Sequence, residues 1–323
     1  MKKIKKDLEI LDPKRQLSLF GYNSIFNSFI KLFEQKRLPN TILLSGPKGS
    51  GKSTFIYHFV NYLFSKHEKN KYSISNFSIN ENNSSYKLVN DNTHPNFFSI
   101  ENIALEKDIK IDQIRNLSKF LSKSSYLNNV KIVLINNAEY LNLNSSNALL
   151  KALEEPNENT FFFIIHNNSL KILETIKSRC IKFKIFHDLS KKKEIFNNII
   201  KQYNSEFDED TVDDFLNFDT PGNLIKYSML LGRENINFAE NKISSILFFM
   251  DKYKNEKNPE TLSFLSFFIC KFYNELCLNS NDISLYLFNQ SKILKEIDNM
   301  KKFNLNEKNT LVWIKEVLLN EKK

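Results

Sequence analysis

The sequence predicts an α/β domain built on a parallel sheet, followed by an all-helical C-terminal part. Three observations carry this. Short β-rich strings alternate with helix-like stretches as far as about residue 187. Several of those strings are apolar at successive positions, as strands covered on both faces are. Beyond them, every periodic segment is helical.

Strands are expected over 41–45, 97–101, 131–136, 160–166 and 181–186, with helices over 22–36, 52–66, 112–124 and 144–155. In the third of these helices Ile114, Leu117, Phe120 and Leu121 share one face. The polar, Asn/Ser-rich segment 67–93 reads as loop. Helices then follow over 190–203, 208–217, 221–231, 236–254, 260–277, 282–298 and 305–320. Pro221-Gly222 opens one of them, and Gly232-Arg233-Glu234-Asn235 reads as a hinge. The expected division is into three domains: 1–186, 187–234 and 235–323.

Composition narrows the class. With 41% hydrophobic and 26% charged residues, the 323-residue chain is not globally disordered. No apolar run approaches the roughly 20 residues of a membrane span. The basic start has no apolar stretch behind it, so no secretory signal and a cytoplasmic location are expected. Cys180, Cys270 and Cys277 form neither a disulfide framework nor a zinc pair, and the five histidines show no ligand spacing. The net charge of +9 is compatible with nucleic-acid contact without establishing it.

Glycine is the more informative residue. Only six occur, and Gly46, Gly49 and Gly51 fall within six positions, in Gly46-Pro47-Lys48-Gly49-Ser50-Gly51-Lys52-Ser53. This is a G-x-x-x-x-G-K-[ST] phosphate loop after a strand and before a helix. Glycines let successive N–H groups turn inward around phosphate oxygens. Lys52 would supply charge at the β and γ phosphates, Ser53 would ligate magnesium, and the helix N-terminus would add its dipole. The candidate set for ATP or ADP with Mg²⁺ is therefore Gly46, Gly49, Ser50, Gly51, Lys52, Ser53 and Thr54.

Hydrolysis needs more. An ATPase of this kind ends a second buried strand in carboxylates for magnesium and water. Here that strand runs into Asn136 and Asn137. An amide is a neutral, weaker ligand and accepts no proton from water; loss of a general base costs about 10²–10⁴ in rate. Glu139 stands two or three residues further on, expected in a turn and aimed elsewhere. Nucleotide binding with little or no hydrolysis is the expectation.

Further motifs form an ordered set. The run Asn142–Pro156 contains Asn147-Ala148-Leu149-Leu150-Lys151-Ala152-Leu153-Glu154-Glu155-Pro156, and Ser178-Arg179-Cys180 lies downstream. Asn167 stands thirteen residues before Cys180. Arg37-Leu38-Pro39-Asn40, His94-Pro95-Asn96 and Ile111-Asp112-Gln113-Ile114-Arg115 complete the set. Together they resemble the bacterial DNA polymerase III clamp-loader proteins of the AAA+ class, over about residues 20–186. The departures resemble the delta-prime branch of that family. Asparagines replace the motor subunits' acidic pair, Thr220-Pro221-Gly222 stands where motors carry a sensor-2 arginine, and the zinc cysteines of the motors are missing.

The resemblance implies an AAA+ domain, a helical lid and a helical collar used for oligomerisation. It also implies a five-subunit open ring that opens a sliding clamp and loads it on primer–template DNA. The partners would be motor subunits, a delta subunit, the clamp and the DNA, with no membrane. In that role the chain would be largely structural and regulatory, with Asn167 as the sensor-1 residue and Arg179 as an arginine finger in trans. Taken alone, Arg179 reads as an arginine salt-bridged at a strand start. The intact phosphate loop keeps a catalytically active motor-type ATPase as the alternative. Lys110, Arg115, Lys119 and Lys123 read equally as a DNA-facing row or a solvated basic face.

Overall fold

A computed structural model describes residues 12–101, 108–125, 130–203, 209–233, 242–257, 259–280, 282–303 and 307–321. Five strands form one sheet: β1 (Thr41–Gly46), β2 (Phe97–Ile100), β3 (Lys131–Ile135), β4 (Thr160–Asn167) and β5 (Ile181–Lys184). Their order is β2-β3-β4-β1-β5, and every pairing is parallel. All five expected strands are present, each within two residues of its expected ends.

Helices cover both faces, which is why β1 and β3 lack polar alternation. On one face lie α1 (Asn23–Glu34) and α2 (Lys52–Phe64). There Ile42 and Leu44 join a buried cluster with Phe26, Phe29, Phe55 and Phe59. On the other lie α4 (Ile111–Leu121) and α5 (Leu143–Glu154). Leu43 joins Ile114, Leu117, Leu149 and Leu153 there. Successive residues of one strand thus anchor two cores.

The segment 67–93 is a correction, because it contains α3 (Ser84–Asn90). The Asn83 side chain caps this helix by accepting from the Tyr86 N–H at 2.6 Å, and Glu68 accepts from the N–H groups of Ser84 and Ser85. The same asparagine content that reads as loop supplies the cap. A short helix α6 (Glu174–Lys177), not anticipated, precedes β5.

The chain divides into two compact units, Met1–Ile225 and Lys226–Lys323. The first holds the sheet, then α7 (Leu189–Tyr203), α8 (Glu209–Phe218) and the first turn of α9 (Pro221–Arg233). Gly232 and Arg233 belong to that helix, whereas Glu234 and Asn235 of the expected hinge, and the boundary at 234–235, lie outside the described residues. The second unit contains α10 (Lys242–Glu256), α11 (Pro259–Asn279), α12 (Ile283–Phe303) and α13 (Glu307–Asn320). Its core stacks Phe249 on Phe268, with ring centroids 5.0 Å apart. Among the described residues no helix is long and apolar enough to cross a membrane. None of their His, Cys, Asp and Glu side chains form a group of three able to hold a metal ion.

Candidate nucleotide loop and arginine segment

Strand β1 ends at Gly46, and the chain turns through residues 47–51 before α2 begins at Lys52. Gly49 and Gly51 have φ of 79° and 89°, the left-handed region that side chains avoid. Beneath the loop, the buried Tyr22 hydroxyl donates to the Ser50 carbonyl at 2.8 Å. A Cβ on Gly51 would come within 3.3 Å of that ring.

Lys52 is buried and donates to the carbonyls of Gly46 and Pro47 at 2.8 and 2.6 Å, with Ser50 Oγ at 3.4 Å. Burial pulls its pKa down to about 8, against the opposing pull of the negative Glu139. The Ser53 hydroxyl donates to Asn136 Oδ1 at 3.0 Å. Thr54 follows in the first turn of α2, half-buried.

The Asn136 N–H donates to Ile100 O, so the residue continues the line of β3 toward the loop. Asn137 then takes a left-handed φ of 55° and turns the chain into a single 3₁₀ turn, Ala138–Tyr140. That reversal corrects the reading of Glu139 as aimed elsewhere. Its Oε2 accepts from the Asn167 N–H at 3.0 Å, and its charge is felt at Lys52. Asn167 closes β4, paired in register with Gly46, and its own Oδ1 accepts from the Ser169 N–H at 3.2 Å. Gly46, Ser50, Lys52, Ser53, Asn136, Glu139 and Asn167 therefore meet beyond the C-terminal ends of parallel strands, where open α/β sheets take ligands.

Sequence reasoning missed the residues that close over the loop. The Thr220 hydroxyl donates to Lys48 O at 2.8 Å, and the Gly222 N–H donates to Gly49 O at 3.1 Å. A Cβ on Gly222 would lie 2.5 Å from Gly49 O, and one on Gly49 would lie 2.4 Å from Thr220 Oγ1. The only signal was the Thr-Pro-Gly sequence itself, noted for what it replaces and not for what it touches. Tyr22 carried no signal beyond its place at a helix start.

Arg179 stands elsewhere. Its carbonyl accepts from the Thr41 hydroxyl at 2.6 Å, which ties it to the start of β1. The phosphate loop begins at the other end of that strand, five residues or about 17 Å away. The guanidinium donates from Nε to Glu154 Oε1 at 2.7 Å, from Nη2 to the same oxygen, and from Nη1 to Thr175 O at 2.9 Å. The salt-bridged reading of this arginine thus describes its contacts within the chain. In the basic row, Arg115 pairs with Asp112 on its own helix at 2.9 Å, which offsets part of that charge.

The family described as "DNA polymerase III, delta subunit" matches residues 21–188. Among curated relatives, the DNA polymerase III subunit delta' of Pseudomonas aeruginosa is 35% identical over 140 residues, 43% of this chain and 41% of the relative. The subunit delta' of Escherichia coli is 25% identical over 48% of this chain and 45% of its own length. A DNA polymerase III subunit gamma of Buchnera aphidicola is 32% identical over 40% of this chain and 37% of its own. These matches span less than half of each relative. Among solved structures, a DNA polymerase III gamma subunit-related protein of Thermotoga maritima superposes with a TM-score of 0.55 at 18% identity, covering 92% of this chain and 99% of that one. That likeness speaks for the fold. The family match covers just over half of the chain, from the first helix to the last strand, and the chain belongs to the DNA polymerase III delta-subunit family, with delta-prime members among its relatives.

Proposed function

We propose that this chain is a delta-prime-type subunit of a clamp loader, acting through assembly and through Arg179, which it lends to the nucleotide site of a neighbouring motor subunit. The observation that carries this reading is the placement of Arg179 at the opposite end of β1 from the chain's own phosphate loop. An arginine whose backbone is tied to the far end of that strand, with its guanidinium held by Glu154 and Thr175, is out of reach of its own loop. A guanidinium aimed at another subunit's γ-phosphate stabilises transition-state charge and reports the nucleotide across the interface. The other partners are a delta subunit, the sliding clamp and primer–template DNA.

The chain's own loop fits a nucleotide. Gly49 and Gly51 hold the backbone angles a phosphate cradle needs, Lys52, bonded to the Gly46 and Pro47 carbonyls, would supply a cation, and the bonded pair Ser53 and Asn136 would hold magnesium with neutral oxygens. Bound ATP with Mg²⁺ would bring the triphosphate chemistry, whereas ADP would fill the loop without a transferable γ-phosphate. This chain's residues would bind and orient the nucleotide, with no carboxylate on β3 to draw a proton from water. Glu139 is the observation favouring the second reading, an active ATPase, since it faces the loop region. It is engaged by the Asn167 N–H, and the structural role is preferred.

The test is ATP turnover by a clamp loader reconstituted from the same organism's subunits, stimulated by DNA and clamp. With assembly confirmed, Arg179→Ala is expected to lower turnover by about 10² or more, toward the range known for arginine fingers. Unchanged turnover would refute the trans role. Lys52-dependent hydrolysis by the isolated chain would favour the ATPase reading instead.

A further inference from the structure

The C-terminal end of α5 carries a charge its own helix does not favour. Glu154 is the last residue of α5 and Glu155 its C-cap, where the helix dipole presents partial negative charge. An acidic residue there weakens the helix unless a cation answers it. The cation is Arg179, twenty-five residues along the chain, bound through both Nε and Nη2 to Glu154 Oε1. The remaining side of the guanidinium rests on Thr175 O, and Ser178 Oγ lies 3.4 Å from Nη1. Its backbone is fixed independently by Thr41. The Arg179 side chain nevertheless keeps 30% of its surface exposed, and that of Glu154 keeps 48%.

We infer that Glu154 is a positioning residue for Arg179: it holds the guanidinium in one orientation at the subunit surface while leaving part of its donor set for an anion on another chain. The inference rests on the trans role proposed above. Arginine has five N–H donors. The bonds to Glu154 and Thr175 and the longer one to Ser178 Oγ engage four, so the group is oriented without being saturated. A free arginine side chain carries substantial rotamer freedom, and pre-orienting it removes that cost before the neighbour's phosphate arrives. A pair this exposed is too weak to act as a lock that withholds the arginine. It serves as a guide.

The experiment uses the reconstituted clamp loader and compares Glu154→Ala, Glu154→Gln, Arg179→Ala and the Arg179→Ala/Glu154→Ala double variant. Assembly is checked by size-exclusion chromatography. Glu154→Ala is expected to lower kcat about tenfold with KM for ATP little changed, because an arginine acting on transition-state charge affects kcat. Glu154→Gln keeps an acceptor oxygen and is expected to recover part of that loss. The double variant is expected to be no slower than Arg179→Ala, since the two residues act as one unit. A rise in kcat with Glu154→Ala would overturn the guide in favour of a lock. Unchanged kcat with Glu154→Ala, while Arg179→Ala is slow, would overturn this inference alone. Unchanged kcat with Arg179→Ala would overturn the trans role and this inference with it. Should Glu154→Ala fail to assemble, Glu154→Gln decides: a kcat at or above wild type counts against the guide.

Discussion

The Ser53 hydroxyl donates to Asn136 Oδ1 at 3.0 Å, joining the first residue after the loop lysine to the residue that follows β3. In magnesium-dependent nucleotide sites of this layout a hydroxyl and a carboxylate occupy these two places. Here the second is an amide, neutral and unable to take a proton.

Asn136→Asp is therefore expected to strengthen magnesium-dependent nucleotide binding. An ionised acceptor is worth about 1 kcal/mol more than a neutral one, or roughly three- to tenfold in affinity. Titration of a fluorescent ATP analogue with and without Mg²⁺ reads the difference. An equal change in both titrations would mean that Asn136 does not face the metal position.

Lys52 makes nucleotide binding pH-dependent. Burial lowers its pKa to about 8, so the cation that meets phosphate is lost as pH rises through that value. Affinity for ATP should be flat below about pH 8 and fall above it, by up to about tenfold per pH unit. Lys52→Met should bind weakly and lose this dependence. Folding stability moves the other way. Between about 8 and the ordinary lysine value the unfolded chain binds the proton more readily, so stability from this group rises with pH. Binding titrations and urea denaturation at pH 7 to 9.5 check the two signs together.

Gly222→Ala tests the closure over the loop. The backbone angle at Gly222 is not left-handed, so the penalty is contact: a Cβ there lies 2.5 Å from Gly49 O. The start of α9 must withdraw, and the Gly222 N–H loses its bond to Gly49 O. Overpacking of this kind costs about 1–3 kcal/mol. Thermal unfolding should show the loss, and unchanged stability would mean that the contact is readily relaxed.

The strands were legible because they are buried on both faces. TILLS and KIVLI contain uninterrupted apolar runs that few other arrangements accommodate. The phosphate loop was legible because its glycines answer a backbone requirement written in local sequence. Tyr22, Glu139, Glu154 and Thr220 were not legible in these roles. Each reaches its partner across 25 to 172 positions, and nothing in the local pattern of a tyrosine at a helix start or a glutamate at a helix end points to the distant atom it meets. Helix α3 was missed for a local reason, since one asparagine among many does the capping.

Strand β1 holds a phosphate loop at one end and, through Thr41, an arginine at the other. A strand has two unlike ends, and here a lysine-bearing loop and an arginine occupy them. Under the proposed trans role, a two-fold pair would meet arginine with loop only by exchanging both at once, which closes the pair on itself. A head-to-tail arrangement would use one arginine and one loop at each interface and leave the others for the next neighbours, which gives such an assembly a direction. That direction would come from the two unlike ends of a single strand.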